Sequence, residues 1–109
     1  MATTYKVLGQ ANPAASSPAG LYTVPAATQT IVSTVVVANL AASAATYRIA
    51  VRVAGAALAN SQYIAYDVTV GANDSTALTL GITMGATDVL TVIPSSANLT
   101  FTAFGSEIS

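Results

Sequence analysis

Residues able to carry out acid–base, nucleophilic or metal chemistry are few in this chain of 109 residues. It contains no histidine and no cysteine, so the commonest general base and the thiolate metal ligand are absent. Serine and threonine are plentiful, but no histidine is available to activate their hydroxyl groups. Three basic and four acidic residues make up the charged set, Lys6, Arg48, Arg52, Asp67, Asp74, Asp88 and Glu107.

The carboxylates are the remaining candidates for catalysis or metal binding. Two of them could act as acid and base in glycoside hydrolysis, and two could hold Ca²⁺ together with backbone oxygens. Asp74 and Asp88, however, fall at predicted turns, where aspartate commonly caps the backbone, and Asp67 falls on the outward face of a predicted strand. The glycines form no phosphate-binding motif. We therefore expect no enzymatic activity, no metal site and no cofactor.

The two arginines lie in a segment of strict alternation, Thr46–Val53. A strand with one buried face places every second residue inward, and here the inward set is Tyr47, Ile49, Val51 and Val53. Arg48 and Arg52 then lie together on the outward face. They are either solvated charges that discourage edge pairing or partners of Asp67 or Glu107 in a neighbouring subunit.

Tyrosines accompany the arginines on the next predicted strand. Tyr63 and Tyr66 can be core or rim residues, or a platform on which sugar rings stack. Five residues are thus the candidate partner-binding set: Arg48, Arg52, Tyr63, Tyr66 and Asp67.

Composition points to a surface that other proteins cover. Hydrophobic residues make up 53% of the chain and charged residues 6%, against roughly 25% charged in an ordinary soluble domain. A charge-poor apolar surface usually marks an interface. The most apolar stretch, Ile31–Ala45, is interrupted by polar residues and is shorter than the roughly 20 residues of a membrane-spanning helix. With three basic residues, the chain also lacks the footprint of a nucleic-acid binder.

Short alternating segments between turn signals predict an all-β fold. The predicted strands are Tyr5–Gln10, Leu21–Val24, Gln29–Asn39, Thr46–Val53, Tyr63–Val70, Ser75–Ile82, Asp88–Ile93 and Leu99–Phe104. About eight antiparallel strands in one domain indicate a β-sandwich, and the number suits a jelly roll. A single helical turn is predicted within Ala54–Gln62.

Three finer expectations accompany this fold. Residues 1–109 form one domain, in which residues 1–20, punctuated by Pro13 and Pro18, include an extended N-terminal arm. The β-branched strand Gln29–Asn39 is buried on both faces. The strand Thr46–Val53 pairs with it as an antiparallel neighbour.

Several motifs, taken together, resemble small structural proteins of tailed bacteriophages. The segments are Leu21–Ala26, Tyr47–Val53, Tyr63–Asp67, Leu80–Val89 and Phe104–Ser109, and the likeness covers nearly the whole chain. The resemblance implies a β-sandwich of the virion, made in the host cytoplasm. Its roles include a capsid decoration (cement) protein and a tail, baseplate or fibre component.

The partners implied by this resemblance are other virion proteins, either the major capsid protein or tail proteins. It also implies a homo-oligomer, with a trimer favoured for decoration proteins, and brings no catalytic residues. A carbohydrate-binding module is the alternative of a different class, suggested by the predicted sandwich and the tyrosines.

Overall fold

Two antiparallel sheets pack face to face in the computed structural model, which describes residues 2–109. The strands are β1 (Thr3–Ala11), β2 (Ala19–Thr23), β3 (Gln29–Asn39), β4 (Ala45–Arg52), β5 (Tyr63–Val70), β6 (Ser75–Leu78), β7 (Ile82–Met84), β8 (Val89–Pro94) and β9 (Leu99–Ile108). Two single-turn 3₁₀ helices, Val53–Gly55 and Asn60–Gln62, lie between β4 and β5. No α-helix occurs in the described chain, and none of its helices is long and apolar enough to cross a membrane.

The strand order is that of a jelly roll. Sheet A runs β1-β9-β3-β6, with β7 pairing to β3 beyond the end of β6, and sheet B runs β2-β8-β4-β5. The pairs β4–β5, β3–β6/β7, β2–β8 and β1–β9 form one long hairpin, which is rolled so that β9 also meets β3 and β8 also meets β4. The predicted all-β antiparallel sandwich is confirmed.

Backbone irregularities explain where the strand boundaries differ from prediction. β3 and β5 have the predicted bounds, but the predicted strand Ser75–Ile82 is divided into β6 and β7. Gly81 between them adopts a left-handed φ of 62°, which a continuous strand cannot contain. β3 is bulged between Val32 and Thr34, between the parts that pair with β7 and β6.

The prediction that β3 is buried on both faces is wrong, because only one face of the strand points into the core. Its inward set is Thr30, Val32, Val35, Val37 and Asn39, so the alternation skips one residue at the bulge. Intervening side chains such as Ile31 and Ser33 point outward and are exposed.

The predicted pairing of β3 with β4 is wrong because the two strands lie in different sheets. Asn39 turns the chain between them. Its Nδ2 atom donates to the Ser43 carbonyl at 2.8 Å and its Oδ1 atom accepts from the Ala41 amide at 3.0 Å. The same Nδ2 atom reaches the Val70 carbonyl of sheet B at 3.3 Å, so the buried Asn39 links the two sheets.

The segment expected to include an N-terminal arm, residues 1–20, contains β1, which pairs with β9 on both sides of a register shift between Val7 and Gly9. The accessible surface of 5346 Å² is close to the roughly 5,500 Å² of a compact protein of this mass. Residues 12–18 then cross from sheet A to sheet B.

The core lies between the sheets. Tyr47 and Ile49 of β4 are buried as predicted, and the Tyr47 ring meets Phe101 of β9 edge-on, with centroids 6.1 Å apart. Val53, by contrast, is exposed, because it begins a 3₁₀ turn after β4 ends. Full burial of a large apolar side chain such as Ile49 contributes about 1.5–3 kcal/mol to the free energy of unfolding.

Two glycines allow neighbouring backbones to approach closely. A Cβ atom at Gly105 would overlap the Ile31 carbonyl, and one at Gly9 would overlap the Leu21 carbonyl. At Gly20, an added Cβ would meet only Val89 Cγ1, at an ordinary 3.6 Å.

We therefore expect Gly105→Ala to lower the free energy of unfolding by about 1–3 kcal/mol, because backbone must move to admit the methyl group. Gly20→Ala is the control, with an expected change within about 0.5 kcal/mol. Urea denaturation of both variants measures the difference. Equal midpoints for the two variants would contradict the close approach at Gly105.

Candidate functional site

Four of the five predicted partner-binding residues form one cluster on the outer face of sheet B. Arg48 Nε donates to Asp67 Oδ1 at 2.7 Å, and Nη2 donates to Oδ2 at 3.2 Å. The guanidinium carbon lies 4.0 Å from the Tyr66 ring centroid, which is cation–π distance. The Tyr63 and Tyr66 rings are 5.0 Å apart and nearly perpendicular.

Strand geometry assembles this cluster. Arg48 points outward because its neighbours Tyr47 and Ile49 point into the core. On β5 the pairing with β4 is irregular between Ala65 and Val68, and Asp67 has a left-handed φ of 53°. This bulge gives Tyr66 and Asp67 consecutive exposed positions beside Arg48.

The Arg48–Asp67 pair is electrically neutral and satisfied within one chain. The hydrogen bonds from Arg48 hold the pKa of the Asp67 carboxyl below its ordinary value, and Asp67 raises the pKa of Arg48. Both side chains are partly open to solvent, at 34% and 50% exposed. Arg48 therefore has an ion-pair partner inside its own chain, and pairing with a neighbouring subunit stays a prediction.

Arg52 does not join this cluster. Its Nε and Nη2 atoms donate to the Ala56 and Gly55 carbonyls at 2.7 and 2.9 Å. These bonds hold the turn that follows β4, and Asp88 Oδ1 accepts from the Ala54 amide of the same turn at 2.8 Å. Arg52 thus supports a loop of its own chain, and its pairing with Asp67 or Glu107 of another subunit stays a prediction.

The aspartates at turns have the capping role predicted for them. Asp88 Oδ2 accepts from the Gly85 amide at 2.9 Å, and Asp74 Oδ1 accepts from the Ser75 amide at 2.8 Å. Within residues 2–109, no three carboxylate side chains come together as a metal site.

A small cavity of about 160 Å³ lies beside Arg48 and Asp67, and its other lining residues include Thr46, Ile93 and Ser95. Its polar groups are the neutral ion pair and hydroxyls, and no side chain there can act as a general base at neutral pH other than the paired carboxylate. The perpendicular rings of Tyr63 and Tyr66 form no flat stacking platform, so this arrangement does not favour sugar binding.

The outer face of sheet A carries a different feature, which was missed at the level of sequence. Tyr5 and Val7 of β1, Ile31 of β3 and Phe104 of β9 are all exposed there, and we call this surface the sheet A face. Val7 is directly opposite Phe104, and Tyr5 and Ile31 flank the small Ser106. A shallow groove of about 410 Å³ lies between Tyr5, Ile31 and Phe104.

Of the charged residues in the described chain, Lys6 alone lines the groove on the sheet A face, and its ammonium group is paired with Glu107. Arg48, Arg52 and Asp67 belong to sheet B and its loop, while Asp74 and Asp88 lie in turns. Lys6 alternates with Tyr5 and Val7 along β1 and reaches Glu107 Oε1 at 3.2 Å. The sequence signal was the absence of charge from β3 and from β9 as far as Ser106, but the bulges decide which side chains point outward.

Glu107 joins the two sheets at one end of the molecule. The Tyr22 hydroxyl of sheet B donates to Glu107 Oε2 of sheet A and lies 2.8 Å from Thr30 Oγ1. Burial and the Glu107 carboxylate raise the pKa of Tyr22 to about 12, and hydrogen bonds from Tyr22 and Lys6 lower the pKa of Glu107. Glu107 is thus bound within its own chain, and its pairing with a neighbouring subunit stays a prediction.

Comparisons with protein families, with curated proteins and with solved structures found no match. Functional inference therefore rests on the outer faces of the two sheets, one with an Arg48–Asp67 ion pair and the other with exposed apolar side chains.

The Tyr22–Glu107 bond predicts a pH-dependent contribution to stability. Because the folded-state pKa of Glu107 lies below its ordinary 4.5, the contribution is complete above that value and is lost as the pH falls through the folded-state pKa. Tyr22→Phe should lower the free energy of unfolding by about 1.5–3 kcal/mol near pH 7, and by less in acid, where a neutral hydrogen bond is worth about 0.5–1.5 kcal/mol.

Urea denaturation from about pH 7 to about pH 2 measures this difference. Tyr66→Phe removes the hydroxyl of an exposed tyrosine and should change stability by no more than about 0.5 kcal/mol at either pH. A Tyr22→Phe effect that is independent of pH would show that the Glu107 charge does not act on this bond.

Proposed function

We propose that the protein is a non-enzymatic structural component of a virion, a capsid decoration protein that binds the major capsid protein shell through the sheet A face. The observation that carries the proposal is an outer sheet face with exposed aromatic and aliphatic side chains, on which the one charged residue lining the groove, Lys6, is paired with Glu107. The resemblance to structural proteins of tailed bacteriophages supplies the kind of partner.

Covering the sheet A face is energetically easy. Removing its apolar side chains from water is favourable by roughly 25 cal/mol per Å², and the one charged residue that lines its groove, Lys6, is already paired with Glu107. Sheet A is four strands wide, which at about 4.8 Å per strand and about 3.3 Å per residue gives a face of roughly 19 by 33 Å, or about 600 Å². This approaches the roughly 800 Å² per partner of a standard stable interface.

The outer face of sheet B suits the opposite role. Arg48 and Asp67 are partly exposed and form a neutral pair, which needs no partner to satisfy it. A molecule with one largely apolar face and one polar face can lie on a protein shell while keeping its other side in water. Catalysis has no place in this proposal, because the carboxylates are engaged in capping and pairing.

A tail, baseplate or fibre component would bind its neighbours through the same face. The number of copies per particle therefore distinguishes a capsid location from a tail location. A decoration protein should be present in fixed proportion to the major shell protein, as measured by quantitative mass spectrometry of purified particles. Copies confined to isolated tails would overturn the capsid location while leaving a virion role. Complete absence from particles would overturn the proposed function.

Ile31→Asp tests the binding face directly. Ile31 lies on the sheet A face and is 39% exposed, so the variant should fold, but its carboxylate would be buried against the shell. Ile64→Asp is a matched control, since Ile64 is 43% exposed on the strand β5 of sheet B. We expect loss of particle incorporation for Ile31→Asp and retention for Ile64→Asp.

Circular dichroism should first show that both variants are folded. Equal incorporation of the two variants would contradict binding through the sheet A face.

A further inference from the structure

The sandwich has four sheet edges, and three of them are poorly suited to pairing with another strand. On β5 the edge is bulged at Asp67, which has a left-handed φ of 53°. β2 has five residues and an irregular register after Gly20. The edge of sheet A opposite β1 is divided between the short strands β6 and β7. Short, bulged or broken edges resist strand addition.

β1 is the exception. It has nine residues, and all of its first five, Thr3–Val7, are exposed. Tyr5 is the most exposed large apolar residue of the described chain, at 83%. Further along, Leu8, Gly9 and Ala11 are partly buried, and Gly9 lies against the Leu21 carbonyl of β2. The free part of this edge is therefore the segment Thr3–Val7.

The alternation of hydrogen-bonded and non-bonded residue pairs between β1 and β9 shows which backbone groups of β1 point away from β9. Ala2 and Ser109 exchange two hydrogen bonds, at 2.7 and 2.9 Å, so they form a hydrogen-bonded antiparallel pair. Such pairs alternate with non-bonded pairs along a regular ladder, and the register is regular as far as Val7. Thr4 and Lys6 therefore bond to β9, while Thr3, Tyr5 and Val7 direct their N–H and C=O groups to the free edge.

We propose that β1 pairs with β1 of a second copy, antiparallel across a two-fold axis that places Tyr5 opposite Tyr5 of the partner subunit. The same register places Thr3 opposite Val7 of the partner subunit and Lys6 opposite Thr4 of the partner subunit. The free backbone groups then find partners, and two tyrosine rings lie side by side on one face.

Charge does not oppose this register. Lys6 and Lys6 of the partner subunit are diagonal neighbours rather than directly opposite, and each ammonium group lies 3.2 Å from Glu107 Oε1 of its own chain. An unpaired edge lysine would discourage pairing, but here its charge is compensated by Glu107.

Dimerisation would join two five-stranded sheets into one, so that two sheet A faces form a continuous, largely apolar surface. The strand that pairs with this edge is thus β1 of a second copy, because the backbone donors and acceptors of Thr3, Tyr5 and Val7 match those of the same segment in antiparallel orientation. This pairing is testable with the purified protein alone, so its failure would leave the proposed function standing, and failure of particle binding would leave the dimer standing.

Mass measurement by light scattering should give twice the 10.8 kDa mass of the chain. Tyr5→Pro should lower the association constant by at least about tenfold, since proline removes an N–H group that points to the free edge. Thr4→Pro is the control, because it removes a bond to β9 and should instead lower the unfolding midpoint.

A cysteine cross-link tests the register and does not require the proline variant to fold. The native chain has no cysteine, so Tyr5→Cys would place two thiols in directly opposed positions, within the roughly 4.4–6.8 Å Cα separation that a disulfide spans. With oxidised glutathione as the oxidant, Tyr5→Cys should form a covalent dimer. Val7→Cys should not, because its two copies would lie about four residues, or about 13 Å, apart along the strands.

A monomer at all concentrations, or a trimer unaffected by Tyr5→Pro, would overturn the proposal. Equal cross-linking of Tyr5→Cys and Val7→Cys would overturn the register.

Discussion

Placement of the charged side chains is the constraint on which the rest of this structure depends. A chain with 6% charged residues can keep one sheet face largely apolar only if each ionic group is paired or directed elsewhere. The structure does this by pairing Arg48 with Asp67 across sheet B, by directing Lys6 to Glu107, and by using aspartates in turns. What remains on sheet A is a surface that loses little on leaving water.

Backbone irregularities decide which residues occupy that surface. A one-residue bulge reverses the direction of every later side chain in a strand. The bulge in β3 keeps Val35 and Val37 in the core after Val32, and the Asp67 bulge in β5 brings Tyr66 beside Arg48. Gly105, opposite Val32, allows close approach to the Ile31 carbonyl. Face composition therefore depends on a few local departures from regular pairing.

These departures also explain how far the sequence could be interpreted. Period-two alternation predicted the all-β sandwich and the bounds of β3 and β5. It placed Tyr66 and Asp67 on opposite faces of β5, whereas the bulge at Asp67 brings both beside Arg48. It could not reveal that β3 and β4 lie in different sheets, because that depends on the Asn39 side chain, nor that Glu107 binds Tyr22, 85 residues away. Alternation cannot locate a bulge, so the sheet A face was not foreseen.

Hydroxyl-radical footprinting of the protein, free and in its assembly, tests most directly whether the sheet A face is covered. Tyr5 and Phe104 on that face and Tyr66 on sheet B are all exposed in the single chain, so each should be labelled when the protein is free and dilute. In purified particles, Tyr5 and Phe104 should lose their labelling while Tyr66 retains it. Unchanged labelling of Tyr5 and Phe104 in particles would contradict the central claim.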